Sequence, residues 1–155
     1  MNSPNATTKQ PGPEAGLTLI VKRSFKASAE RVFDAWIEPE QLKQWWGPQG
    51  VVCPEAQVDL RVGGAYRIAN RIPDGSTVWI FGEFLRIDCS SLLVYSWHFE
   101  PGSTESSRVT VRFVQLGEST EVTLTHDRIP DAATRDEHEK GWFGCLDGLA
   151  QHLGA

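Results

Sequence analysis

The sequence predicts an α+β domain in which a long C-terminal helix covers one face of a curved antiparallel sheet of about seven strands. Runs of strand-forming residues, separated by short turns rich in Gly, Pro and Asp, fill the middle of the chain. Two short helical patterns precede them, and one long amphipathic pattern ends the chain. A sheet with one apolar face needs a covering layer, and only the last helix is large enough to provide it.

The first elements are a tail, a strand and two short helices. Residues 1–16 are rich in Pro, Gly, Asn and Thr and lack apolar periodicity, which predicts a disordered tail. Residues 17–25, LTLIVKRSF, favour a strand, so the folded domain is expected to span 17–155. Ser28 can cap a helix over SAERVFDAWI, and Pro39 ends that helix and can begin a second one, EQLKQWW.

Six further strands are predicted after these helices. Their sequences are VVCPEAQVDL, AYRIANRI, TVWIFGEFLRI, LLVYSWHFE, RVTVRFVQL and TEVTLTHD. Short connections between strands favour antiparallel hairpins. The alternation is clearest near the end, where Val109, Val111 and Phe113 share one face and polar residues occupy the other, as in a sheet that is covered on one side.

The last 25 or so residues predict a helix that Asp131 can cap. Glycines at 141, 144 and 148 each weaken a helix by about 1 kcal/mol relative to Ala, and they predict either a close approach or a kink. One side of this helix carries a stripe at helical spacing: His138, Trp142, Cys145, Leu146, Leu149 and Leu153.

Composition excludes several classes of function. The 155 residues carry a formal charge of -5, which does not favour binding to nucleic acid or to an anionic membrane. The three cysteines are widely spaced and the four histidines lack metal-ligand spacing, so neither a disulfide framework nor a metal site is expected. No cofactor motif, signal sequence or membrane-spanning stretch is recognised, and a cytoplasmic protein without a cofactor is predicted.

The order of these motifs resembles a known fold family. The matching pieces are FKASAERVFDAWIEPEQLKQWWGP, VDLRVGGAYRI, FGEFLRIDCSSLLVYSW, VTVRFVQLGESTEVTLTH and HEKGWFGCLDGLAQHL. They resemble the START-like (SRPBCC) helix-grip domains, and within them the branch related to the activator of the ninety-kilodalton heat-shock chaperone's ATPase. The resemblance covers the chain from about Leu17 and implies a cavity between the long helix and the concave sheet, which in relatives takes lipids, sterols, polyketides or plant hormones. It does not imply one reaction.

If the strands contain no bulge, alternation places one set of side chains on the sheet face that meets the helix. Most of this set is expected to be core. The rest, with two helix residues, is predicted to line a cavity for a flat or aromatic ligand. The predicted ligand-binding residues are Tyr66, Asn70, Trp79, Phe81, Glu83, Tyr95, Trp97, Phe113, His126, Trp142 and Leu146.

Two members of this set could carry chemistry. A buried Glu83 would lose its hydration and could orient a ligand hydroxyl or act as an acid or base, unless it lies near the rim or pairs with an arginine. His126 follows Val122 and Leu124 on the same face, where a lone histidine is more often structural. Glu83 and His126 are therefore catalytic candidates only if the protein is an enzyme.

The two adjacent tryptophans, Trp45 and Trp46, should point in different directions on a helix. At most one is expected to face inward, while the other packs on the next strand or is exposed. An exposed pair, or exposed edge strands, could support a homodimer.

Three functions remain open. The favoured one is binding of a small hydrophobic or aromatic molecule without clear catalytic machinery. The second is a cyclase or hydrolase that uses the same cavity. The third, and least favoured, is regulation of a chaperone ATPase through the protein surface, since the separate N-terminal domain of the eukaryotic activators is not recognised in this sequence.

Overall fold

The computed structural model describes residues 16–47, 50–101 and 103–154. The predicted disordered tail falls outside these residues except for Gly16, and it stays a prediction. Among the described residues, no helix is both long enough and apolar enough to cross a membrane. The elements in chain order are β1 (Leu17–Phe25), α1 (Ala29–Ile37), α2 (Pro39–Trp45), β2 (Ala56–Val58), β3 (Ala65–Arg71), β4 (Thr77–Asp88), β5 (Leu92–Glu100), β6 (Ser107–Leu116), β7 (Ser119–Ile129) and α3 (Ala132–Leu153).

The sheet has seven strands in the order β1-β7-β6-β5-β4-β3-β2, and every neighbouring pair is antiparallel. This confirms the predicted α+β helix-grip fold. The strand predicted over VVCPEAQVDL is shorter than expected, because only Ala56–Val58 joins the sheet and Val52 forms an isolated bridge with Arg71. Pro54 lies between these two pieces, where a residue without an N–H interrupts ladder pairing.

The two short helices form where the sequence predicts them. The Ser28 side chain caps α1 by accepting a hydrogen bond from the backbone N–H of Arg31 at 3.1 Å. The prediction that only one of Trp45 and Trp46 faces inward is wrong, since both are buried, with exposures of 2% and 5%. Trp46 already has an extended backbone, with φ of -70° and ψ of 138°, so helical spacing does not apply to its side chain.

The long helix α3 packs across the sheet and also against α2. Asp131 caps it by accepting from the N–H of Thr134 at 2.8 Å. Gly148 allows the close approach that the sequence left open, since a Cβ there would lie 2.5 Å from the carbonyl oxygen of Trp45, whereas a Cβ at Gly141 would meet nothing within 4 Å. The buried residues of the helix are Trp142, Cys145, Leu146, Leu149 and Leu153.

The predicted register of β4 is wrong. Tyr66 and Asn70 of β3 are buried, and they pair with Gly82 and Val78. Directly paired residues lie on the same face, so the even-numbered residues of this part of β4, and not the odd-numbered ones, face the helix. Trp79, Phe81 and Glu83 consequently lie on the outer face, and a register irregularity follows between Phe84 and Arg86.

The outer face of β4 has its own contacts, which explains why alternation alone was misleading. The run Val78-Trp79-Ile80-Phe81 is apolar on both faces, so it contains no period-two signal. The guanidinium carbon of Arg67 lies 4.2 Å from the centre of the Trp79 ring, in a cation–π contact. The Phe81 and His98 rings stack with centres 5.3 Å apart. These large side chains are therefore half-buried without reaching the core.

Candidate functional site

A cluster of indole rings fills the space between the sheet and the helices. Neighbouring rings lie 5.2 to 6.3 Å apart, and the cavity left at the centre of the fold has a volume of only about 20 Å³. That volume holds about one water molecule, so the deep interior cannot accept a ligand as it stands. The members of this indole cluster are Trp36, Trp45, Trp46, Trp97 and Trp142.

Polar residues of the inner face serve as acceptors for these indoles. Trp46 donates its Nε1–H to Asn70 Oδ1 at 2.9 Å, and Trp142 donates to His126 Nδ1 at 3.1 Å. In the same way, Trp36 donates to the Tyr95 hydroxyl at 3.2 Å. A buried donor without a partner costs about 1–3 kcal/mol, so these polar residues are needed to bury the indoles. Their presence on the inner face does not by itself indicate ligand recognition.

The two inner tyrosines are held in the core as neutral phenols. Tyr66 donates its O–H to the backbone carbonyl of Ser96 at 2.7 Å, and burial raises its pKa well above the ordinary value. Burial also raises the pKa of Tyr95, although the hydrogen bond from Trp36 opposes the shift. Neither phenol can therefore supply a phenolate near neutral pH.

A pocket of about 380 Å³ opens between the first half of α3 and strands β3 to β5. We call it the helix–sheet pocket. Its walls are mainly apolar, and its polar lining comes from Asn70 on the sheet and from Thr134, Glu137 and His138 on the helix. Asn70 is fully engaged, because its Nδ2 donates to the carbonyls of Ile68 and Val78. The apolar side chains that line the pocket include Trp46, Val78, Ile80, Trp97, Phe99 and Trp142.

A buried carboxylate contacts His138, one of the residues that line this pocket. Glu105 lies just before β6, and its side chain is 3% exposed. His138 Nε2 lies 2.8 Å from Glu105 Oε2 and 3.1 Å from Oε1, while Ser107 donates its O–H to Oε2 at 2.6 Å. The Ser107 hydroxyl also lies 2.8 Å from His126 Nε2. We call this group of hydrogen-bonded residues the Glu105 network.

The donors and acceptors of the network fit one arrangement of protons. Because the Trp142 N–H points at His126 Nδ1, that nitrogen must be unprotonated and Nε2 carries the proton. Nε2–H then donates to Ser107, and Ser107 donates to Glu105. Burial, with the electrostatic effect of the neighbouring His138 as a smaller cause, lowers the pKa of His126 to about 2. His126 is therefore a neutral residue with both ring nitrogens hydrogen-bonded, which does not favour the acid–base role considered for it in the case of an enzyme.

The same three side chains have atoms close enough to suggest a metal centre. One ligand atom from each of Glu105, His126 and His138 lies within 4.8 Å of the others. The contacts of His126 do not fit a metal, however, since a histidine that binds a metal through Nε2 needs a proton on Nδ1 to donate to a neighbouring acceptor. His126 Nδ1 instead accepts the proton of Trp142. The donor set is better suited to a hydrogen-bond relay than to a metal.

One buried donor lacks a partner. Among the described residues, Trp97 Nε1 is the only buried side-chain nitrogen or oxygen that makes no hydrogen bond. Trp97 is 5% exposed and lines the helix–sheet pocket. Its ring centre lies 5.8 Å from that of His138. An unpaired buried N–H in a native fold needs an explanation, and a partner supplied from outside the chain is one.

The structure separates the predicted site residues into three groups. Asn70, Trp97 and Trp142 line the helix–sheet pocket. Trp79, Phe81 and Glu83 lie on the outer face, with Glu83 exposed, and their predicted inward position is wrong. The remainder are buried away from this pocket: Tyr66, Tyr95, Phe113, His126 and Leu146.

Sequence reasoning missed the two most polar members of the site. His138 was visible on the buried stripe of the last helix, where its spacing from Trp142 suggested simple stacking. Glu105 lies in the polar connection GSTESS, which shows no alternation that could indicate burial. A carboxylate among small polar residues is ordinarily solvated, so only the fold brings it against the helix.

Comparison with known proteins gives one family and several structures of the same fold. The family model described as Activator of Hsp90 ATPase homolog 1-like protein matches residues 26–154. A crystal structure of a protein from Chromobacterium violaceum has a TM-score of 0.82 at 26% identity and covers 89% of this chain and 97% of that one. An HSP90 activator from Plasmodium falciparum has a TM-score of 0.71 at 26% identity, and the match covers 90% of this chain and 97% of that one. The AHSA1 protein from Silicibacter pomeroyi, with a TM-score of 0.81 at 23% identity and 89% and 98% covered, shows the fold alone. No curated protein matches the chain.

Proposed function

The chain belongs to the family of Activator of Hsp90 ATPase homolog 1-like proteins, and on this premise we propose that it binds a small, flat and largely apolar molecule in the helix–sheet pocket. The observation that carries the proposal is the pocket itself, about 380 Å³ in volume with mainly apolar walls. Sites for small molecules typically have volumes of about 300–1,000 Å³ and combine apolar walls with a few polar groups.

The shape of the ligand follows from the walls. Trp97 and Trp142 line one part of the pocket and lie 5.4 Å apart, while Phe99 and Ile80 come from the paired strands β5 and β4. Flat aromatic rings favour a planar ligand that stacks against a face or meets an edge. The deep interior has no room for a long chain, so a lipid with an extended tail fits less well than a ring compound.

Binding is favoured over the catalytic role considered from the sequence. That role needs Glu83 or His126 as an acid or base beside a bound substrate, and it would be favoured if both were buried and converged on one cavity. Glu83 lies on the outer face, and His126 has both ring nitrogens engaged inside the core. The pair therefore does not form an acid–base site.

The proposal is tested by filling the pocket. Gly141 lines it, and a Cβ there meets nothing within 4 Å, so Gly141→Leu should occupy the space without distorting the helix. Its neighbour Lys140 is exposed, which makes Lys140→Leu a matched control. Native mass spectrometry and calorimetric titration against a panel of flat aromatic compounds should show binding to the wild type and the control. The affinity of Gly141→Leu for the same compounds should be at least about tenfold lower. Unchanged binding by Gly141→Leu would place the ligand elsewhere, and no binding by the wild type to any compound would refute the proposal.

Regulation of a chaperone ATPase is a second candidate, because the Plasmodium falciparum protein, which is 26% identical to this chain, is described as an HSP90 activator. The test adds the purified chain to the Hsp90-type chaperone of the same organism and measures ATP hydrolysis. A saturable increase would support this function. An unchanged rate, together with no complex in size-exclusion chromatography, would argue against it.

A further inference from the structure

We propose that the ligand of the helix–sheet pocket carries a weakly acidic hydroxyl group, of the phenol or enol class, whose O–H donates a hydrogen bond to Nδ1 of His138. The inference rests on the proposed function and deepens it, because it names the chemical group that the pocket selects.

The first step is the state of His138. Its Nε2 lies within hydrogen-bond distance of both oxygens of Glu105, and a carboxylate only accepts, so Nε2 must carry a proton. In the neutral ring Nδ1 is then an unprotonated acceptor. Glu105 is buried, and among the described residues the one other side chain that donates to its carboxylate is Ser107. The carboxylate therefore stays in place as the acceptor of the His138 Nε2–H.

The second step is that this acceptor is available. Within the described part of the chain, Nδ1 of His138 makes no hydrogen bond and is not among the buried atoms that lack one. It therefore keeps contact with solvent, and the open space that His138 lines is the helix–sheet pocket. A ligand in that pocket can reach the nitrogen.

The third step is the sign of the charge around Nδ1 of His138. The groups near His138 are the buried carboxylate of Glu105, the neutral ring of His126 stacked at 4.5 Å, and Glu137, whose side chain also lines the pocket. Two carboxylates make the site unfavourable for a ligand that arrives as an anion. They favour a neutral hydroxyl that donates a hydrogen bond and keeps its proton, because donation of Nε2–H to Glu105 polarises the ring and makes Nδ1 a stronger acceptor.

The fourth step is the unpaired indole of Trp97. Its N–H is buried without a partner, and its ring lies 5.8 Å from that of His138 on the same pocket. A hydroxyl oxygen can accept a hydrogen bond from this N–H while its own O–H donates a hydrogen bond to His138 Nδ1. One small group would thus satisfy both open positions, whereas an ether could only accept and an amine would compete as a donor.

The test compares three ligands with one ring system and different head groups: β-naphthol, β-naphthyl methyl ether and β-naphthoate. Calorimetric titration of the wild type near neutral pH should show the naphthol binding about tenfold more tightly than the ether, which is the effect of one net hydrogen bond. The naphthoate should bind more weakly than the ether. Equal affinities for the naphthol and the ether would overturn the inference and leave the proposed function standing. No binding of any of the three would overturn both.

Two variants test the roles of the residues. Glu105→Gln keeps the shape of the side chain, but its amide can donate to His138 Nε2 and so move the ring proton to Nδ1. The naphthol preference should fall to about one while the affinity for the ether stays within about twofold. Trp97→Phe leaves the Glu105 network intact and should reduce the preference severalfold. His152→Gln, at the far end of the same helix, should leave it unchanged. A preference that survives both Glu105→Gln and Trp97→Phe would overturn the proposal, and so would nitrogen NMR that places the His138 proton on Nδ1 in the wild type.

Discussion

Replacing Trp142 and Trp97 by phenylalanine should have unequal effects on stability, although the two rings look alike. Both are nearly buried, with exposures of 2% and 5%, and they contact each other. The difference lies in their indole nitrogens. Trp142 donates to His126 at 3.1 Å, whereas Trp97 has no partner among the residues described. Trp142→Phe leaves a buried acceptor unpaired, and Trp97→Phe does not.

The magnitudes follow from two contributions. Loss of the five-membered ring removes buried apolar surface and leaves a small cavity at either position, at a cost of about 1.5–2.5 kcal/mol. Leaving His126 Nδ1 buried without a hydrogen bond adds about 1–3 kcal/mol at Trp142 alone. We therefore expect the free energy of unfolding to fall by about 2.5–5.5 kcal/mol for Trp142→Phe and by about 1.5–2.5 kcal/mol for Trp97→Phe.

Urea unfolding followed by far-ultraviolet circular dichroism measures both values without relying on the fluorescence that the substitutions remove. The slopes of the unfolding transitions should match, so that the midpoints alone report the difference. Equal losses, or a larger loss for Trp97→Phe, would refute the view that inner-face polar residues act as acceptors for the indoles. Trp142→Ala provides an upper reference, since truncation of a buried Trp costs about 3–5 kcal/mol before the hydrogen bond is counted.

Further predictions concern the helix glycines, a buried histidine and the thiols. Gly148→Ala should destabilise the protein, because its Cβ would meet a backbone oxygen at 2.5 Å. Gly141→Ala should stabilise the protein by up to about 1 kcal/mol, because its Cβ meets nothing and alanine favours a helix. A higher melting temperature for Gly148→Ala than for Gly141→Ala would contradict this packing. Burial lowers the pKa of His126 to about 2, whereas an unfolded histidine has a pKa of about 6.5. Between these two pH values only the unfolded state binds the additional proton. The free energy of unfolding should therefore fall as the pH drops below about 6.5. His126→Gln should be less stable at neutral pH but flatter between pH 7 and 5, and an identical slope would count against the assignment. Cys89 is exposed while burial raises the pKa of Cys145 to about 12, so native protein should show rapid alkylation at Cys89 alone; fast modification of the buried thiols would mean that the core opens readily.

Much of the fold could be predicted from the sequence because its signals are local. Strand β7 and its partner β6 alternate cleanly, and the caps at Ser28 and Asp131 are both formed by side chains that accept from the helix backbone. Prediction failed where no alternation exists. In β4 both faces are apolar, and cross-strand contacts such as Arg67 over Trp79 decide which face turns outward.

The site was harder to predict than the fold, since it depends on long-range contacts. Residues chosen for their polarity on the inner face, Asn70 and His126, prove to be partners of tryptophans. His138, which lines the pocket from the helix, is hydrogen-bonded to Glu105, which lies 33 positions earlier in a connection. Neither residue carries a local pattern that distinguishes it from a solvated one. A buried hydrogen-bonded pair of this kind can be identified only once the helix is placed across the sheet.

The spacing of the indole cluster also has an optical consequence. Five of the six tryptophans form one continuous series with neighbouring ring centres 5.2 to 6.3 Å apart. At such separations excitation passes between rings faster than it is emitted, and the transitions of adjacent rings mix. The cluster should thus behave as a single chromophore with a strong dichroic couplet, whereas Trp79 lies on the outer face and makes no ring contact with the series among the described residues. A ligand that quenches one tryptophan of the pocket would lower the fluorescence of all five rings. Intrinsic fluorescence should therefore be a sensitive measure of ligand binding in this pocket.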